Sequence, residues 1–274
     1  DFFVGGRQLP GAYGRRVSSF LLENTQSSLV DVTASKTEGF TDLGMVTDAK
    51  WVDLDGDEQA ELVVVGEWMP VRIFKLREGR LVPTENPSLE TSNGLWNSLE
   101  TLDVDGDGDL DLIAGNYGLN YKYTASVSNP FTLYVKDFDE NGTNDVYLGY
   151  HDQADGKLSP VRGRQCSSEQ MPFVKEKFKN YDAFGKATLV DVLEGRLDGS
   201  TVQECYTFAH TVFLNDGKGS FKTRELPKLA QIAPIYDMVV RDFDGDGQLD
   251  LFCVGNFHQR EVETTRSDAG VCAL

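Results

Sequence analysis

Long apolar runs are missing from this 274-residue chain. None approaches the ~20 residues that a membrane-spanning helix requires, so this segment carries no membrane span. Basic residues are scarce: 26 Lys and Arg stand against 44 Asp and Glu, a net charge of −18. That imbalance argues against nucleic acid or an anionic membrane surface as a partner. Only three histidines occur, His151, His210 and His258, each isolated in sequence. No G-x-S-x-G, H-E-x-x-H or P-loop string is present, and no catalytic residue is assigned. The four cysteines, Cys166, Cys205, Cys253 and Cys272, match no zinc spacing. Cys253 lies in an alternating apolar run and reads as a small buried hydrophobe.

What the chain does have is apolar content of 40% with 11% aromatics, a globular composition. It also has acid in bursts. Aligning on aspartates gives "DLDGDEQAELVVVGE" from Asp53, "DVDGDGDLDLIAGNY" from Asp103, "DFDENGTNDVYLGYH" from Asp137 and "DFDGDGQLDLFCVGN" from Asp242. Each reads D-x-D-x-[DN]-x-x-x-[DE] followed by an apolar run and a glycine. The opening "DFFVGG" matches the tail of the same unit, which makes Asp1 the ninth position of a fifth copy whose first eight residues are missing. The expectation is a chain that begins inside a repeat.

Carboxylates crowded this closely repel one another unless a cation is shared between them. Calcium suits the pattern: it takes six to eight oxygens at about 2.3–2.6 Å in flexible geometry, with a backbone carbonyl at position seven. Magnesium, with its strict octahedra, suits it less. Fifteen acids occupy positions one, three, five and nine of the four copies, so most of the charge excess lies in these loops. An EF-hand is excluded because position twelve, which should be a bidentate Glu, is Val64, Ala114, Leu148 or Cys253. The flanks "ELVVVGEW", "DLIAGNYG" and "DLFCVGNF" are short, β-branched and aromatic, and stopped by glycine, which predicts strands.

Strand-like text around each loop, with "VRIFKLREGRLV" as a hairpin about Glu78–Gly79, gives four short strands in about 45 residues, the size of a propeller blade. The expected fold is all-β, a β-propeller of four-stranded blades with calcium-binding loops, incomplete at both ends. The expected boundaries are about 1–35, 40–85, 94–130, 131–226 and 232–274. In this reading "TVFLNDGKGSFKTREL" is the outer hairpin of the third-loop blade, and residues 151–200 are an insertion of one or two short helices that packs on the propeller. Trp51 is expected in the core, and Trp68 and Trp96 to pack at strand ends.

With these loops and their "VVGE", "IAGN" and "VGN" tails, the chain resembles the FG-GAP repeats of integrin α-subunit propellers and the related VCBS repeats of bacterial secreted proteins. "GMVTDAKWVDLDGDEQAELVVVGEWMP", "GNYGLNYK" and "RGRQCSSEQMPFVKEKF" are similar to the cartilage-acidic-protein-like group of bacterial VCBS-type proteins. The resemblance implies a calcium-binding propeller, secreted or at the cell surface, and outer-membrane-associated if bacterial. It implies up to four Ca²⁺ sites: Asp53, Asp55, Asp57 and Glu61; Asp103, Asp105, Asp107 and Asp111; Asp137, Asp139, Asn141 and Asp145; Asp242, Asp244, Asp246 and Asp250. Gln59, Asp109, Thr143 and Gln248 would supply backbone carbonyls. Glu61 and Asn141 depart from the usual Asp, and the Asn141 site is expected to bind most weakly. The functional expectation is a non-enzymatic binding or adhesion module for a protein or glycan partner. The alternative is a propeller domain of a secreted polysaccharide-degrading enzyme, for which Arg162 and Arg164 are the residues to examine.

Overall fold

The computed structural model describes residues 1–258, 264 and 266–270, so Cys272 lies outside the described residues. The chain is mostly β. A first antiparallel sheet comprises β1 (Phe2–Val4), β2 (Phe20–Asn24) and β3 (Leu29–Asp31), followed by a single turn of helix, α1 (Thr33–Lys36). The second runs β4 (Met45–Val52), β5 (Glu61–Met69), β6 (Arg72–Arg77) and β7 (Arg80–Pro83), with β8 (Gly94–Leu95) added at the far end of β5. Next come β9 (Ser98–Leu102) and β10 (Asp111–Gly115). A nested sheet follows, made of β11 (Phe131–Lys136), β12 (Asp145–His151), β13 (Leu158–Pro160) and β14 (Thr201–Cys205). Helices α2 (Arg164–Gln170), α3 (Phe173–Lys177), α4 (Tyr181–Gly185) and α5 (Leu189–Leu193) lie between β13 and β14. Strands β15 (Thr211–Asn215) and β16 (Phe221–Glu225) then complete the β9–β10 sheet, and β17 (Asp237–Arg241) pairs with β18 (Asp250–Val254). Among the described residues the sheets do not join into a closed ring.

Period-two alternation explains the stacking. On β5, Leu62 and Val64 face the first sheet with Leu21, Phe40 and Phe74, while Val63 and Val65 face the third with Leu99, Leu112 and Phe213. On β10, Leu112 and Ala114 look back at the second sheet, and Ile113 looks forward to Ile235 and to Met238 of β17. A strand buried on both faces loses the polar half of its alternation. That is why "ELVVVGEWM" is buried from end to end. Three of the four strands that enter the acidic loops, β4, β9 and β17, lie side by side in that order.

The hairpin Thr211–Glu225 departs from the expected arrangement. β15 pairs with β10, Ala114 opposite Thr211, rather than with the third-loop strands. The free edge of β11 is taken instead by β14, Phe131 opposite Cys205. The expected blade over 131–226 is therefore two things: a nested sheet and the outer half of the sheet that begins at β9. Alternation specifies which face of a strand is buried but not which edge it pairs with. The nested sheet packs its Phe131, Leu133 and Val135 face on Met45, Trp68 and Leu95. Its other face, through Tyr147 and Phe138, shares a core with Met171, Val174, Phe184, Leu189 and Val192 of the helices. Four short helices stand where one or two were expected, and they pack on this sheet and form no separate body.

Trp51 is 45% exposed, against the expectation of a core residue, because its strand position faces outward at the edge of the second sheet. Trp96 and Trp68 are buried. Trp68 sits at φ +61 in a bulge where β5 meets β8. A left-handed non-glycine costs on the order of 1–3 kcal/mol. Its ring stacks on Phe131 at 5.8 Å, and its Nε1–H donates to Tyr13 Oη at 3.0 Å, contacts that offset the strain.

His210 ties the nested sheet's return to the rest. Its Nδ1 accepts the Asn116 N–H at 2.8 Å and its Nε2 lies 2.9 Å from the Ala233 carbonyl, which fixes a neutral Nε2–H tautomer. Burial pulls the imidazole down to about 4. The folded state thus resists a proton that the unfolded chain accepts below about 6.5, so this stability is full above that pH and is lost as pH falls toward 4. In calcium buffer, the native chain should lose stability faster than His210→Gln on acidification, the gap approaching about 3 kcal/mol by pH 4. Equal pH slopes of melting temperature for the two proteins would contradict this role.

Candidate metal loops

The four loops join β4 to β5, β9 to β10, β11 to β12 and β17 to β18, and they close in the same way. The position-nine acid turns back to accept the N–H of position two: Leu54 to Glu61 at 2.9 Å, Val104 to Asp111 at 2.8 Å, Phe138 to Asp145 at 2.9 Å and Phe243 to Asp250 at 2.9 Å. The position-one aspartate accepts the N–H of position six: Glu58 to Asp53, Gly108 to Asp103, Gly142 to Asp137 and Gly247 to Asp242. The position-five side chain accepts the N–H of position seven: Gln59 to Asp57, Asp109 to Asp107, Thr143 to Asn141 and Gln248 to Asp246.

Such tight wrapping needs left-handed backbone. Positions four and six are at positive φ in every loop: Gly56 and Glu58, Gly106 and Gly108, Glu140 and Gly142, Gly245 and Gly247. Six of the eight are glycine. Glu58 and Glu140 hold the same conformation against the Cβ penalty.

Carboxylate oxygens of Asp53, Asp55 and Asp57 lie within 4.8 Å of one another, as do those of Asp103, Asp105 and Asp111, of Asp137, Asp139 and Asp145, and of Asp242, Asp244 and Asp246. That spacing is about twice a calcium–oxygen distance, so one ion fits among each set. Asp139 Oδ1 is buried with no hydrogen-bond partner, an acceptor left over once the loop's own donors are spent. Burial pushes the Asp111 and Asp145 carboxyls above the ordinary aspartate value, and Asp105 with Asp107, or Asp139 with Asp137, push them further. Backbone N–H bonds pull the other way. Glu61, Asp107 and Asp250 stand outside these close triplets and serve the loop's own N–H groups.

Three residues that the repeat pattern does not single out complete the loops. The Asn215 N–H donates to Asp111 Oδ1 at 2.8 Å, and its side-chain amide reaches the Leu54 carbonyl at 2.7 Å, linking the second loop to the first. Lys75 Nζ pairs with Asp55 and lies 3.5 Å from Glu61. Gln170 Nε2 donates to Asp145 Oδ1 at 3.0 Å and is itself held by Arg162. Arg162 and Arg164 are thus engaged by α2 and by the Phe178 carbonyl. Asn215 and Lys75 occupy the third strand beside position nine, a signal visible only once the strand pairing is known. Asp1 repeats the arrangement, its Oδ1 accepting the Asn24 N–H at 3.0 Å.

Strand, acidic loop and strand, stacked sheet on sheet, define a β-repeat protein with acidic loops. Residues 53–114 and 195–253 each match the family model of the FG-GAP-like repeat. No curated protein matches it. The third loop, in the nested sheet, lies between the two matched segments.

Replacing the strained, exposed Glu140 by glycine should raise the unfolding free energy by about 1 kcal/mol, since relief of the left-handed penalty exceeds the added entropy of the unfolded chain. Denaturant melts that place Glu140→Gly below the native protein would refute the strain.

Proposed function

We propose that the chain is part of a calcium-stabilised β-propeller that works outside the cell as a binding module for a protein or polysaccharide. The observation that carries this reading is the common closure of the four loops around triplets of carboxylate oxygens within 4.8 Å. Calcium would be held by Asp53, Asp55, Asp57 and Glu61, by Asp103, Asp105, Asp107 and Asp111, by Asp137, Asp139, Asn141 and Asp145, and by Asp242, Asp244, Asp246 and Asp250, with the carbonyls of position seven. The ion supplies positive charge where the loop concentrates negative charge, and its role is structural. The side-by-side order of β4, β9 and β17 supports a propeller, because it sets loop-entering strands in one row as an inner wall requires. FG-GAP-like repeats support an extracellular setting. No helix among the described residues is long and apolar enough to cross a membrane. A non-catalytic role is supported by the engagement of the loop acids with backbone N–H groups and of Arg162 and Arg164 with α2 and its neighbour.

A site that binds a hundredfold below ambient calcium adds about 2.7 kcal/mol by mass action. Several such sites would rival the ~5–15 kcal/mol stability of a whole domain. Chelation should therefore lower the melting temperature sharply, and Asp105→Ala should cost more calcium-dependent stability than Asn141→Ala, which removes a neutral oxygen. A melt indifferent to chelator ends the proposal.

Lys75 makes the first loop a special case. Its ammonium already neutralises part of the charge at Asp55 and Glu61, so calcium competes with it. Lys75→Met should raise the affinity of the first loop for calcium about tenfold in calorimetric titration, and unchanged affinity would exclude the competition.

A further inference from the structure

A polar cavity of about 350 Å³ opens where the second sheet meets β14, away from the acidic loops. Arg16, Glu67, Arg72, Asn93, Gln203 and Glu204 line it, brought together from the β1–β2 connection, the two ends of the β5–β6 turn, the approach to β8, and β14. Its size suits a small ligand.

Its cations are unusual. Among the described residues neither the Arg16 nor the Arg72 side chain has an ion pair or a hydrogen bond. Arg72 is partly buried, and burial first and the like charge of Arg16 second pull its guanidinium below the ordinary value. The other charges on the wall are committed. Glu67 Oε1 accepts from Arg7 Nη2 at 3.0 Å and Glu204 accepts from Tyr206 Oη at 2.7 Å. Glu67 Oε2 is fully buried, and the Tyr13 hydroxyl stands against the same carboxylate. The bulge that strains Trp68 also marks where Glu67 is set into this wall.

We propose that this cavity binds a single uronic-acid residue of an acidic saccharide, its carboxylate on Arg16 and Arg72. Two guanidinium groups facing one space match a planar carboxylate. Leu43, Met69 and Pro70 add apolar wall for the C–H face of the ring. The chain's net charge of −18 opposes long polyanions, so a confined pair of arginines reads one acid at a time.

The site rests on the binding-module reading and deepens it. The test is calorimetric titration of the whole chain, in calcium, with trigalacturonate and with its fully methyl-esterified form. The acid form should bind and the ester at least about tenfold more weakly, and Arg72→Gln and Arg16→Gln should each weaken the acid about tenfold or more. Arg16 is exposed, so its substitution leaves the fold intact, and equal melting temperatures check this. No binding of the acid, equal binding of the ester, arginine variants that bind as the native chain does, or preference for a glutamate-rich peptide would each overturn the site. A neutral glycan or protein bound equally by native and arginine-substituted chains would overturn the cavity while the binding-module reading stands. That reading falls separately, on a melt that ignores chelation.

Discussion

Each acidic loop is closed by its own last acid. The bond from the position-two N–H to the position-nine carboxylate brings the two ends of the loop together and fixes where the second strand starts. Everything downstream inherits that position. The second strand then presents alternate residues to sheets on either side, as β5 does with Leu62 and Val64 toward the first sheet and Val63 and Val65 toward the third. The other oxygen of the same carboxylate is met by the third strand, through Asn24, Lys75 or Asn215, or in the nested sheet by Gln170. One side chain thus joins loop, second strand and third strand. The electrostatic problem of the loops and the geometric problem of the sheets have a shared solution.

The repeat is legible in the sequence because its chemistry is local. Spacing of acids, glycine at the left-handed positions and the apolar run after position nine all fall within fifteen residues, and the loops stand where the pattern places them. Pairing between distant segments is not legible. Nothing in "TVFLNDGKGSFKTREL" distinguishes the open edge of β10 from that of β11, since both offer buried apolar neighbours. Trp51 is misplaced by the sequence for a related reason: burial along β4, an edge strand of its sheet, does not follow the alternation of the sequence. Gln170 and Lys75 carry no signal in the repeat because neither belongs to the loop it completes. The "RGRQC" stretch, distinctive in composition, anchors α2 and through Gln170 steadies Asp145.

The two ends of the nested segment meet at His210 and Asn116, one hydrogen bond apart and 94 residues distant in sequence. Joining the ends of so long a stretch carries an entropic cost that grows only slowly with length, but it must be met before β10 and β15 gain anything from pairing. The nested segment has its own apolar cluster, from Phe138 and Tyr147 to Leu189 and Val192. Condensation of that cluster shortens the effective distance between β10 and β15. The order of assembly then runs opposite to the order of the chain: the sheet that begins first, at β9, is finished after the one it encloses.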